Sequence, residues 1–276
     1  MGEMHELRGS LVQALDACAR ECCPKKGPWV VAVTGSGGKT TMIEHLAGYW
    51  EQQGLRVLVT TTTRMAHPKV HRYPFSYAVI ESDDRQLPVQ AYPGATVLYG
   101  RDAAQKIAAV DHESLLSVMQ QFDRVIIEAD GARGAPLKIH AERDPVIPEE
   151  VSLVIAVVGL SALGRPLDER VMYLSDRYRE LTGDTASVVS PQVYRNLLRH
   201  PEGLFKGCEK QETVVCCNQS DTIGAAEVKQ LVDTLASTPG DRSFMLIVGS
   251  WHQNRLEYIQ KISGFSEIKE LSRESV

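Results

Sequence analysis

The stretch Trp29–Thr41, WVVAVTGSGGKTT, restricts this chain more than any other. Val30-Val31-Ala32-Val33 is an apolar run of the kind that makes a short buried strand. Thr34-Gly35-Ser36-Gly37-Gly38 is a turn of small residues, and Lys39-Thr40-Thr41 opens a helical pattern carried by Met42, Ile43, Leu46, Ala47 and Trp50. Strand, glycine turn, Lys-Thr and helix, in that order, make a phosphate grip. Glycines let backbone N–H groups turn inward, and the helix N-terminus adds positive potential. Lys39 reaches a terminal phosphate, and Thr40 can ligate Mg²⁺. The expected nucleotide contacts are therefore Gly35, Ser36, Gly37, Gly38, Lys39, Thr40 and Thr41.

The spacing departs from the usual G-x-x-x-x-G-K-[ST], because Val33 stands where the first glycine belongs. The shorter T-G-S-G-G-K-T resembles the compact phosphate loops of the Mur peptide ligases. A glycine-rich turn without a ligand is the competing reading. The intact strand and helix on either side favour the phosphate loop.

A second chemical stretch is Asp123–Pro148, DRVIIEADGARGAPLKIHAERDPVIP. Val125-Ile126-Ile127 reads as a buried strand, with Glu128 and Asp130 at its end on one side of the pleat. A phosphate-loop enzyme needs a carboxylate there to hold Mg²⁺, or to orient the attacking group. Glu128 and Asp130 are thus candidate metal ligands with Thr40, and candidate catalytic residues with Lys39. Arg133 and Lys138 follow as candidate anion contacts.

With 276 residues the chain can bury a full core, and the reading is one elaborated α/β domain over 1–276. Its expected fold is a mainly parallel sheet sandwiched by helices, similar to the P-loop NTPases, with a small helical excursion at 167–207. A helical stripe runs from Met4 to Cys23. Strands are expected at 55–63, 77–80, 96–99, 213–217 and 244–249, the last being the final strand, and at Val151–Gly159, VSLVIAVVG, which must be central. The pair at 77–80 and 96–99 reads as an insertion shaping a substrate pocket. A helix is expected over 222–236, and the polar tail from Gln253 reads as a helix with a loose end.

A net charge of −5 gives no electrostatic reason to expect nucleic acid or an anionic membrane as partner. No apolar run approaches bilayer length and the N-terminus lacks a signal-peptide core, so the expected location is cytoplasmic. Of the six cysteines, Cys18, Cys22 and Cys23 lie together, but no second Cys/His pair with zinc spacing completes a site. Small buried side chains are the better reading of them than a metal or selenium site.

Taken together, TGSGGKTT, TTTTRM, EADGARGAPLKIHAERDPVIP and the late NQSD resemble the YqeC family, over about Val30 to Gly249. That resemblance implies a nucleotide-binding accessory protein of selenium-dependent molybdenum hydroxylases, acting in maturation of a molybdenum or selenium cofactor. It also implies an N-K-x-D signature after the fifth strand, as in GTPases, where Asn and Asp read the guanine edge and Lys packs on the ring. Here Asn218 and Asp221 stand in place and Gln219 replaces the Lys. The base-reading role competes with a simpler one, an Asn turn with Ser220 or Asp221 capping the next helix.

The leading expectation is a Mg²⁺-dependent hydrolase of GTP or ATP, with GTP bound the tighter. Two alternatives stay open. One is an ATP-dependent ligase or phosphotransferase, with Arg133, Lys138 and His140 lining an anionic substrate. The other is a nucleotide-switched chaperone that hands a cofactor to a molybdenum hydroxylase.

Overall fold

The computed structural model describes residues 9–24, 26–81, 89–237 and 242–263. In chain order, helix α1 (Leu11–Cys22) leads to β1 (Trp29–Gly35), α2 (Lys39–Gln52), β2 (Arg56–Thr61), β3 (Arg64–Ala66) and β4 (Tyr77–Glu81). Then come β5 (Ala95–Ala103), β6 (Lys106–Ala108), α3 (His112–Met119), β7 (Arg124–Glu128), β8 (Leu137–Lys138), β9 (Leu153–Gly159) and β10 (Met172–Tyr173). The last part holds α4 (Ser175–Thr182), α5 (Pro191–Arg199), β11 (Glu212–Asn218), α6 (Ala225–Ala236), β12 (Phe244–Ser250) and β13 (Arg255–Ile262).

The main sheet runs β13-β12-β11-β9-β1-β7-β2-β5-β6-β3, with β4 also on β5. From β12 through β5 every neighbouring pair is parallel, while β13, β6 and β3 pair antiparallel. The sequence explains the centre. Strands covered on both faces must be apolar throughout, and β9, LVIAVVG, is buried at every position between β11 and β1. On one face, α1 and α2 pack Leu15, Leu46 and Trp50 over Val31, Val33 and Ile126. On the other, α5 and α6 cover Ala156, Val215 and Leu246, and α3 covers Ala32 and Ile127. Cys216 and Cys217 alternate between the two faces, as a strand requires. The fold is thus α/β with a mostly parallel sheet between helices. No helix among the described residues is long and apolar enough to cross a membrane.

Several expectations are corrected. The tail does not continue as a helix: Arg255–Ile262 forms β13, so the 244–250 strand is not the last. Leu256 and Ile262 are buried there, and the strand supplies partners for an edge of β12 that would otherwise stay unpaired. Residues 264–276 lie outside the described residues, as do the first residues of the expected N-terminal helix. Residues 96–99 are no insertion, because β5 pairs directly with β2 in the main sheet. Strand β2 stops at Thr61 and Arg64–Ala66 pairs elsewhere, with β6. The 167–207 stretch holds α4, α5 and the short β10 joined by irregular chain, rather than being mostly helical. Pro191 starts α5, where its missing N–H is not needed. The helix after Asn218 is capped at Gly224, not at Ser220 or Asp221, which sit in a 3-10 turn.

Candidate functional site

The site lies where the carboxyl ends of β1, β7 and β9 meet the start of α2. In register, Val33 faces Glu128 across β1 and β7, and Thr61 faces Glu128 from β2. The chain then leaves β1 through Gly35 to Gly38. Ser36 N–H donates to Val157 O at 2.8 Å, and Gly35 N–H donates to Asp130 Oδ2 at 2.8 Å. The first bond of α2 runs from Met42 N to Gly38 O at 3.0 Å. The N–H groups of Lys39, Thr40 and Thr41, before it, therefore have no intrahelical acceptor.

Two glycines are dictated by their surroundings. Gly37 has φ 84°, and a Cβ there would lie 2.3 Å from Gly159 N; Gly38 has φ 121°, and its Cβ would lie 2.2 Å from Asn218 Nδ2. The loop is pressed against β9 and β11, so only hydrogen fits.

Asp130 is the hub. It is fully buried, and both of its oxygens are engaged. Oδ1 takes a short hydrogen bond from Lys39 Nζ. Oδ2 accepts from Gly35 N–H and, at 2.9 Å, from Lys138 Nζ. Lys39 Nζ also donates to Gly35 O at 3.0 Å and to Asp130 O at 2.6 Å, so its ammonium is turned back onto its own loop. Burial alone would push the Asp130 carboxyl up, but the Lys39 and Lys138 ammoniums outweigh it and hold it below the usual range. Burial likewise opposes the charge on Lys39, and Asp130 with Glu128 reverses that and raises it. The pair is an ammonium and a carboxylate.

Glu128 differs. Its carboxylate lies 3.7 Å from Lys39 Nζ, with no closer ionic partner among the described residues, and burial pushes its pKa up. The Thr40 hydroxyl, one residue into α2, hydrogen-bonds to nothing among the described residues. Of the proposed metal ligands, Thr40 and Glu128 have oxygens to offer, and Asp130 has both committed to the loop.

Lys138 and His140 do not line an open surface. They are 1% exposed or less and sit behind Asp130, with Lys138 Nζ also donating to Gly131 O at 2.6 Å. His140 Nδ1 comes within 3.3 Å of Asp130 Oδ2 without the alignment of a hydrogen bond, and neither ring nitrogen has a hydrogen-bond partner among the described residues. Burial pushes this imidazole down to about 3, the nearby Asp130 only partly opposing it. Arg133, by contrast, is exposed.

Asn218 meets the loop, but as a clamp. Its Nδ2 donates to Gly37 O at 2.7 Å and its Oδ1 accepts from Trp251 N–H at 3.0 Å. Gln219 takes φ 69° and accepts from Ser161 Oγ at 2.7 Å. Asp221 is exposed in the 3-10 turn and bonds neither the loop nor its carboxylates. Sequence reasoning missed the bracing of the loop from behind. Gly159 N–H donates to Pro136 O at 2.8 Å, and Tyr194 Oη donates to Gly159 O at 2.9 Å. Only the glycine ending β9 hinted at this close approach.

Cys18 and Cys23 are buried, and burial pushes both thiols up to about 12. Among the described residues, no group of three or more His, Cys, Asp or Glu is arranged to hold a metal by itself.

Fold and site together define an α/β protein whose glycine turn, helix N-terminus and buried lysine converge on two carboxylates at the end of the neighbouring strand. The chain belongs to the YqeC family. A family model described as "YqeC protein" matches residues 31–176, which include the loop, Glu128, Asp130, Lys138 and His140 but not Asn218 or Asp221. It is also 34% identical over 198 residues to the "Uncharacterized protein YqeC" of Escherichia coli (strain K12), covering 67% of this chain and 75% of that protein.

Proposed function

We propose that this protein binds and hydrolyses a nucleoside triphosphate, GTP or ATP, with Mg²⁺, and that turnover serves maturation of a selenium-dependent molybdenum hydroxylase or its cofactor. One observation carries the nucleotide reading. Three N–H groups without an acceptor among the described residues, Lys39 to Thr41, open α2 beside a lysine whose ammonium already rests in a ring of oxygens. A terminal phosphate offers that ammonium the same oxygen chemistry one side-chain swing away. The accessory role comes from the family resemblance alone.

The residues fit Mg²⁺ in kind, since this ion takes one or two protein oxygens and completes its shell with phosphate and water. Thr40 and Glu128 would hold it, and when bound it neutralises charge on the transferring phosphate oxygens. Asp130 keeps the loop and Lys39 in place. The ligase reading asks Lys138 and His140 to meet a substrate, and their burial speaks against that. The experiment is titration of ATP and GTP, with and without Mg²⁺, into the wild type and Lys39→Ala. Micromolar-range binding abolished by the substitution is expected. Equal binding by a folded variant, or none by the wild type, refutes the reading.

A further inference from the structure

The loop after β7 carries one cation that the site just described does not use. Lys138 and His140 are buried against Asp130, whereas Arg133 is exposed and pairs with no carboxylate among the described residues. Its backbone takes φ 49°, a left-handed conformation rare for a side-chain-bearing residue, with Gly134 next at φ 81°. Strained backbone of this kind persists where the surrounding structure enforces it, and it clusters at functional loops.

The guanidinium rests on an aromatic ring. Arg133 Cζ lies 5.1 Å from the centroid of Tyr173. Parallel pairing of β8 with β10 sets Tyr173 opposite Lys138, and the Lys138 Nζ lies 6.0 Å from the same ring. This two-stranded sheet thus builds a seat for Arg133 beside the residues that hold Asp130. An exposed cation–ring contact is weak, so the guanidinium can leave it readily. Arg133 lies three positions after Asp130, a span of at most about 10 Å of chain, and the side chain adds its own length to that reach.

We propose that Arg133 is a catalytic residue delivered in cis: with a nucleoside triphosphate bound, its guanidinium leaves Tyr173 and contacts the terminal phosphate. The inference rests on the triphosphate reading above. In hydrolysis the bond from the terminal phosphorus to the bridging oxygen breaks as a bond to a water oxygen forms. The bridging oxygen keeps the electron pair and departs on the diphosphate; of the water's two protons, one stays on the inorganic phosphate and the other is released. Negative charge accumulates on the bridging and equatorial oxygens during this step. A planar guanidinium can meet two of them with a rigid pair of coplanar N–H bonds, a fork that an ammonium does not have.

The test is single-turnover hydrolysis and diphosphate binding by the wild type, Arg133→Ala and Arg133→Lys. Arg133→Ala is expected to slow the chemical step about a thousandfold, the low end of what such arginines supply, with diphosphate affinity kept within about twofold. Affinity for the diphosphate with aluminium fluoride, which mimics the transferring group, should fall in parallel with the rate. Arg133→Lys should recover little of either. An unchanged rate in Arg133→Ala, or diphosphate affinity falling in step with the rate, would overturn the assignment while leaving the hydrolase reading intact. A wild type that binds no triphosphate would overturn both.

Discussion

His140 offers a measurement that depends on no ligand. Its ring is 1% exposed and its pKa is pushed from 6.5 down to about 3 by burial, so the folded protein holds it neutral at any ordinary pH. The unfolded chain takes up a proton near 6.5 and the folded chain does not. The stability this group contributes is therefore fully present above 6.5 and is lost as pH falls toward 3. Between about pH 7 and about pH 5, single-site linkage makes the loss about 2 kcal/mol. Because pH 5 lies well above the folded value, the unfolded pKa alone sets that figure. Urea unfolding of the wild type and of His140→Gln at both pH values provides the assay. The variant is expected to start less stable, since a glutamine does not fill the ring's space. Its further loss on acidification should nevertheless be smaller than the wild type's by about 2 kcal/mol, the remaining histidines being common to both. Identical pH dependence in the two proteins would mean that the ring is protonated in the folded state and that the account of the Asp130 hub is wrong.

Three further outcomes are expected. Glu128→Gln should cut Mg²⁺-dependent turnover at least about a hundredfold while triphosphate affinity changes little, because the carboxylate acts through the ion; steady-state kinetics beside binding would show it. Gly37→Ala places a Cβ 2.3 Å from Gly159 N at φ 84°, so calorimetric triphosphate binding should be lost together with about 1–2 kcal/mol of stability; unchanged binding would mean that the loop moves freely. Asp221→Asn tests base reading. Competition between GTP and ATP should favour GTP in the wild type and less so in the variant, and equal affinities in both would leave Asp221 a surface residue.

The sheet was legible because its central strands must be apolar on both faces, and β1, β7 and β9 announce themselves as unbroken apolar runs rich in Val and Ile. Glu128 and Asp130 were legible as a pair because two residues along a strand share a side. Their different duties were not. What separates them is a set of donors from elsewhere, Gly35 N–H, Lys39 and Lys138, all turned on Asp130. The same limit hid Asp16, whose position in an apolar helical stripe gives no sign that it accepts from Trp50 Nε1 at 2.7 Å. Strand β13 was hidden for a different reason. Its polar, half-exposed face reads like a surface helix until the open edge of β12 is known to need a partner.

The Asn218 clamp on Gly37 ties together residues 181 positions apart. On a ribosome adding about 5–20 residues per second, the glycine turn emerges roughly 10–40 seconds before the amide that fixes it. The clamp in turn needs the Trp251 main chain, which comes later still. A nascent chain therefore carries the turn and Lys39 while the residues up to Asn218 are still being added, without the contact that fixes their geometry. If the loop binds a triphosphate as proposed, competence arrives only once β11 and β12 have joined the sheet.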